Sequence, residues 1–368
     1  MTSIFTRSPF IVEVNVASQI STKVELYIAS GTDAIPTSPT YTLSKLIAAS
    51  NKPETQYNVS PYLREYSNFN SITSAYSSDQ MNTNTYGTCT IKVYANTGAG
   101  FVLSTTTTYF FFDGYGYYEE GSNPDLGRSL MTEGTYYYNY DSTIDLAADF
   151  NEVPSSIGAP LEGLAGEALK ATYTNLVSGA TTSLTKTAIV APSGSQNVAR
   201  QFKSVINAYY ADGNKVEIID NVTTTVLATY YFYPKSACKY TPVKCDFVNK
   251  FGQYQRLWFY AASNDSIEVK SSEHKNLQSS ITSYNQIQGQ RKEFNLNGKT
   301  SIKVNTDWVD EEFKDILKEI MLSEKVLIDG KPAKLKTKST ELFQNINTKQ
   351  INYTLEFEFN YNVINNVI

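Results

Sequence analysis

The chain has 368 residues, of which 41% are hydrophobic, 13% aromatic and only 18% charged, with a formal net charge of -5. Disorder needs few aromatics and a high net charge, so this composition specifies a folded protein. The acidic balance argues against a nucleic-acid binder held by phosphate contacts, and no sequence-specific nucleic-acid partner is expected.

Length gives a prior of two or three domains. The 28 Tyr and 18 Phe, against 2 Trp, favour strands over helices. Residues 1–15 lack a charged n-region followed by an apolar h-region, and no apolar run approaches the roughly 18 residues of a spanning helix. The expectation is a chain made in a cytoplasm, with no membrane-spanning segment. Residues 1–200 carry 17 acids and 10 bases, whereas 201–368 carry 19 and 21, so the two halves present different surfaces.

The first part reads as β. Phe10, Val12, Val14 and Val16 alternate with polar neighbours, as do Val24, Leu26 and Ile28, then Tyr57 and Val59, then Cys89, Ile91 and Val93. Alternation at period two marks half-buried strands. The run from Thr105 to Phe112 is a further strand that stops at Asp113-Gly114. Short strands broken by turns predict an N-terminal β-sandwich of the immunoglobulin or fibronectin kind over 1–112.

Residues 113–200 read as a long loop-rich insertion. DGYGYYEEGSNPDLG is turn chemistry, a strand is expected at Tyr136–Tyr140, LEGLAGEALKATYTNLV has helical propensity interrupted by glycine, and TSLTKTAIVAPSGS reads as a strand ending in a turn. Its tyrosines and acids supply the candidate interaction residues: Tyr115, Tyr117, Tyr118, Glu119, Glu120, Tyr136, Tyr137 and Tyr138. A phenol gives contact area and a hydrogen bond at small entropic cost. Two readings stand side by side, a protein or glycan contact surface and a tyrosine-rich strand packed inside the fold. Nine acids between Asp113 and Glu152 meet only Arg128 and read as a channel lining, as the match for a basic neighbour, or as a solvated loop.

Residues 201–368 predict an antiparallel α+β domain. Hairpins are expected around Asp220-Asn221, Asn297-Gly298 and Asp329-Gly330. One amphipathic helix is expected over 307–322, capped by Asp307, with Val309, Phe313, Ile316, Leu317, Ile320 and Met321 on one face. Ile351 to Val363 alternates throughout. Lys325, Lys331, Lys334, Lys336 and Lys338 read either as a face for acidic partners or as the guard of an edge strand.

Catalytic motifs are missing: no phosphate loop, no G-x-G-x-x-G after a strand, no G-x-S-x-G elbow and no H-E-x-x-H. The lone His274 sits in an SSEHKN loop, Cys238 and Cys245 read as two thiols or a pair, and Asp141, Asp145 and Asp149 as a surface turn or a Ca²⁺ site. The expectation is a protein without cofactor or metal that is not an enzyme. A hydrolase using two carboxylates is the remaining catalytic alternative.

SPFIVEVN, VELYIASGT, YTLSK and YNVSPYLREY resemble the opening of structural proteins of tailed bacteriophages, and FDGYGYYEEG fits the same pattern. WVDEEFKDILKEIMLSEKVLI followed by INYTLEFEFNYNVINNVI resembles the end of tail, baseplate or neck proteins of phages infecting Bacteroidota. The resemblance implies a virion component of the tail, tail tip or baseplate that assembles as a ring. Its partners would be copies of itself, other virion tail proteins and a host-surface receptor. A receptor- or glycan-binding module using the Tyr-rich segment is the alternative.

Overall fold

The structure, a computed structural model, describes residues 3–30, 33–47, 54–67, 86–127, 129, 131–139, 160–163, 169–185, 200–203, 210, 212–235, 239–277, 282–283, 287, 289–340 and 350–365. It is mainly β, as the Tyr- and Thr-rich composition predicts.

The N-terminal unit comprises β1 (Ile4–Phe5), β2 (Ile11–Val14), β3 (Ser21–Ser30), β4 (Tyr41–Leu46), β5 (Thr55–Asn58), helix α1 (Ser60–Arg64), β6 (Tyr86–Asn96) and β7 (Phe101–Phe112). A five-stranded sheet in the order β1-β7-β6-β3-β4 faces the β2-β5 pair. All contacts within the large sheet are antiparallel except β1 with β7. The alternation read from the sequence makes the core: Val24, Leu26, Ile28, Cys89, Ile91 and Val93 meet Phe10, Val14, Tyr57, Val59 and Leu63.

Five strands between residues 134 and 235 form a second sheet. Its strands are β8 (Gly134–Asn139), β10 (Leu169–Asn175), β11 (Thr181–Thr185), β13 (Asn214–Asp220) and β14 (Val226–Lys235), in the order β11-β10-β13-β14-β8. β9 (Pro160–Gly163) and β12 (Arg200–Lys203) pair separately. The division at residue 200 therefore runs through one sheet, with β8, β10 and β11 before it and β13 and β14 after it. Leu169–Asn175 is strand rather than helix. Ala171 and Tyr173 alternate inward, and pairing on both sides outweighs the helical propensity.

The third sheet has seven strands: β15 (Val243–Val248), β16 (Tyr254–Phe259), β17 (Asn264–Lys275), β18 (Arg291–Asn305), β20 (Val326–Ile328), β21 (Lys331–Leu335) and β23 (Thr354–Asn362). Their order is β16-β15-β20-β21-β23-β18-β17. β19 (Val309–Asp310) pairs with β22 (Gln350–Ile351) beside it. Helix α2 (Phe313–Met321) contributes Phe313, Ile316, Leu317 and Ile320 to one core shared by the second and third sheets.

Three sequence expectations change here. The helix begins at Phe313, because Asp307 adopts a left-handed φ of 61° and Val309 joins a strand; Asp307 instead pairs with Lys235 at 2.9 Å. Asn297-Gly298 lies inside the continuous strand β18. Asn297 holds the end of β23 through Ile364, and a Cβ on Gly298 would come within 3.1 Å of the Ile267 side chain. The lysine-rich β21 is an inner strand, with Lys334 bridging Glu358 at 3.0 Å and Lys336 bridging Glu356 at 2.9 Å. The Asp329-Gly330 turn is as expected, with φ of 48° and 77° closing β20 onto β21.

Candidate functional site

The candidate tyrosines do not form one surface. They fall on two elements that meet around a buried carboxylate. Phe112 to Gly116 leaves β7 and threads between the N-terminal unit and the loop joining β15 to β16. Arg7 N–H donates to the Gly114 carbonyl at 2.9 Å, and Tyr115 N–H donates to the Lys250 carbonyl at 2.7 Å. The approach is close enough that a Cβ on Gly114 would lie 2.4 Å from the Lys250 oxygen. Gly252, at φ +75°, faces the Asp113 backbone from the other side, where a Cβ would lie 2.8 Å away. Only glycine satisfies both that angle and that spacing. Phe251 then packs against Phe5 in a cluster with Phe110 and Phe112.

Ionic contacts close the same joint. Arg64 meets Glu324 at 2.7 Å and Asp113 at 3.4 Å, and Arg7 reaches the Leu322 carbonyl at 3.1 Å and Glu324 at 3.5 Å. Burial raises the Asp113 carboxyl above its ordinary range against the pull of Arg64. This acid, the first of the acidic run, is engaged within its own chain.

Tyr115 is buried beneath the Arg7 guanidinium, 4.6 Å from its ring centroid, and meets Tyr117 edge-on at 5.9 Å. Burial pushes the Tyr117 phenol up to about 12, and the Lys250 ammonium lies 5.4 Å from its ring. Tyr118, Glu119 and Glu120 form a single 3-10 turn, and Tyr118 is 97% exposed. On β8, Tyr136 and Tyr138 are core residues: Tyr136 stacks on Phe232 at 5.6 Å, and Tyr138 donates to the Tyr210 carbonyl at 3.2 Å. Tyr137 points the other way and donates to Asp310 at 3.0 Å. Of the eight candidates, Tyr118, Glu119 and Glu120 offer an open surface.

Glu319 escaped the sequence reading. It sits on α2 at 1% exposure, accepting a hydrogen bond from the Thr132 hydroxyl and another from Lys250 N–H at 3.3 Å. Burial raises its carboxyl above the ordinary value despite these donors, and its charge is felt at Tyr115, Tyr117 and Tyr136. A buried acid wrapped by tyrosines, a threonine and a backbone amide holds elements together. Lys250 is the cation whose charge opposes that rise.

Some exposed apolar side chains sit in turns and loops, as at Val177, Val222, Leu277 and Trp308, and others lie along sheet edges. Phe101, Val102 and Leu103 are exposed on β7 and Leu46 on β4. Ile267 and Val269 of β17 and Leu296 of β18 are exposed on the face that carries Ile302 and Val304 into the core. His274 is exposed on β17, its ring edge-on to Phe294 at 5.3 Å. Cys245 and Cys89 are buried free thiols, with Cys89 pushed up to about 12 by burial. Cys238 and Asp141, Asp145 and Asp149 lie outside the described residues. Among the described residues, no helix is long and apolar enough to cross a membrane. No family model matches the chain, and no curated protein matches it.

Proposed function

We propose that this chain is a non-enzymatic structural protein of a phage virion, placed in the tail, tail tip or baseplate. It would act by assembling into a ring with copies of itself and with neighbouring tail proteins. The observation that carries this reading is where the unsatisfied surface lies. Exposed apolar residues line sheet edges and the continuation of a core face, at Val102, Leu103 and Leu46 and at Ile267, Val269 and Leu296. Such residues on a monomer are a liability that a neighbouring subunit removes. Obligate interfaces of this kind bury upward of about 2,000 Å² and are more apolar than transient ones.

We read the N-terminal unit as an immunoglobulin-like sandwich. What supports this reading is a β2-β5 pair packed against a sheet in which β3, β6 and β7 are neighbours, the pairings that strands B with E and C with F and G would make.

A second reading, a receptor- or glycan-binding module, is favoured by the Tyr118–Glu120 turn, which presents an almost fully exposed phenol next to two carboxylates in sequence. The two readings separate by experiment. The structural reading predicts a closed oligomer of the purified chain by light scattering and retention in purified phage particles. A monomer absent from particles that binds a host glycan would favour the second.

A further inference from the structure

The sheet edges of this molecule are not treated alike. β17, the edge of the seven-stranded sheet, carries Asp265, Glu268, Lys270, Glu273 and Lys275 along its length. Charges in this number guard a free edge against pairing. β7 is the opposite case. Among the described residues, positions 101–107 have β6 on one side and no strand on the other, because β1 pairs only with Phe111 and Phe112. This stretch, FVLSTTT, has no charge and no proline, and every residue of it is exposed. At the far edge of the same sheet, β4 likewise has no second strand beside it among the described residues. Its one charge, Lys45, is turned back: the ammonium donates to the Gln56 carbonyl and lies 5.0 Å from the Tyr57 ring centroid. Leu46 beside it is 86% exposed.

We propose that β7 of one copy pairs with β4 of the next, so that the N-terminal sheets of neighbouring copies run on as one. The inference rests on the assembly reading above and names the surface and the partner, a second copy of this chain. Strand polarity fits. β7, β6, β3 and β4 alternate in direction, so a neighbour's β4 brought beside β7 is antiparallel to it. The faces fit as well. Register places Thr42, Ser44 and Leu46 on the face of Glu25, opposite to the core. Phe101, Leu103 and Thr106 share that face through Asn96, Tyr94 and Lys92. Leu46 then meets Phe101 and Leu103, and hydroxyls meet hydroxyls along the rest. On the other face, Tyr41 and Leu43 extend the apolar surface toward Thr105 and Thr107. The two edges differ, so the contact is head-to-tail, and repetition closes a ring when the rotation permits.

The test is the mass of the full chain by multi-angle light scattering over a concentration series. The variants are Leu103→Lys, Leu46→Lys and the double variant Leu103→Lys/Leu46→Glu. The expected result is a wild-type multiple of 41.1 kDa, monomers for both single variants, and an oligomer for the double variant, whose new charges attract across every contact. Both sites are exposed in the single chain, so each variant should keep the circular dichroism spectrum of the wild type, while its melting temperature falls with loss of the partner. If Leu103→Lys loses that spectrum, it is replaced by Thr105→Lys on the same edge. A wild-type monomer at all concentrations overturns the assembly reading and this contact together. A wild-type oligomer that the single variants leave intact overturns the contact alone. Dissociation by both singles without recovery in the double overturns the pairing of these two strands with each other.

Discussion

Glu319 shows most clearly how a residue can be fixed by distant partners. The carboxyl holds its proton to higher pH in the folded chain than the ordinary value of 4.5. Between that value and its raised folded value, the native state binds more protons than the unfolded one, so stability falls as pH rises through that window. Glu319→Gln should flatten this slope, which a series of unfolding curves from acid to neutral pH would read. An unchanged slope would mean that the carboxyl ionises as freely as an exposed one. Gly114→Ala pushes a methyl into the Lys250 carbonyl and should cost about 1–3 kcal/mol, as overpacking does elsewhere, measurable by denaturant titration. Neither residue was legible from sequence. A glutamate within a helix reads as a solvated position, and its hydrogen-bond partners lie 187 and 69 residues away. Gly114 read as turn chemistry, whereas its role is the close approach of two units.

At the scale of elements, periodicity was the reliable signal. Val24, Leu26 and Ile28, and Cys89, Ile91 and Val93, are buried as their alternation required. So are Phe313, Ile316, Leu317 and Ile320 on α2. Phe313→Ala should therefore destabilise the protein by about 3–5 kcal/mol, seen as a lowered denaturation midpoint; an unaltered midpoint would place that stripe outside the core. Turn signals were weaker. Asp329-Gly330 makes its turn because both residues adopt positive φ, while the similar Asn297-Gly298 is held extended by β17 on one side and by the Val363 and Ile364 backbone on the other. A dipeptide permits a type I′ turn without demanding one. Val309 belonged to the helical stripe by spacing but pairs with Ile351, a contact 42 residues away that no local pattern announces.

At the scale of the molecule, the sequence revealed the class of fold and missed how its parts join. The middle region looked like an insertion because its strands are short and separated by turn chemistry, yet β8, β10 and β11 complete a sheet with β13 and β14. Parallel pairing of β8 with β14 joins residues about a hundred positions apart, which alternation cannot specify. The joint between the N-terminal unit and the rest depends on Phe251, Gly252 and the Arg64–Glu324 pair. Phe251→Ala should loosen it, so that a protease separates the two units before either unfolds; cleavage identical to wild type would assign the rigidity to the ionic contacts instead. The Tyr118–Glu120 turn stands clear of the joint, whereas Tyr136 and Tyr138 serve the core. The candidate surface is thus smaller than the tyrosine count suggested.

The assembly account is tested most directly by peptide mass spectrometry of density-purified phage particles, washed at high salt and compared before and after the wash. The account predicts this chain in a fixed ratio to the other virion proteins, retained after washing because sheet pairing and apolar burial resist salt. Its absence from the particle, or its loss in the wash while the particle remains infectious, would contradict a structural role.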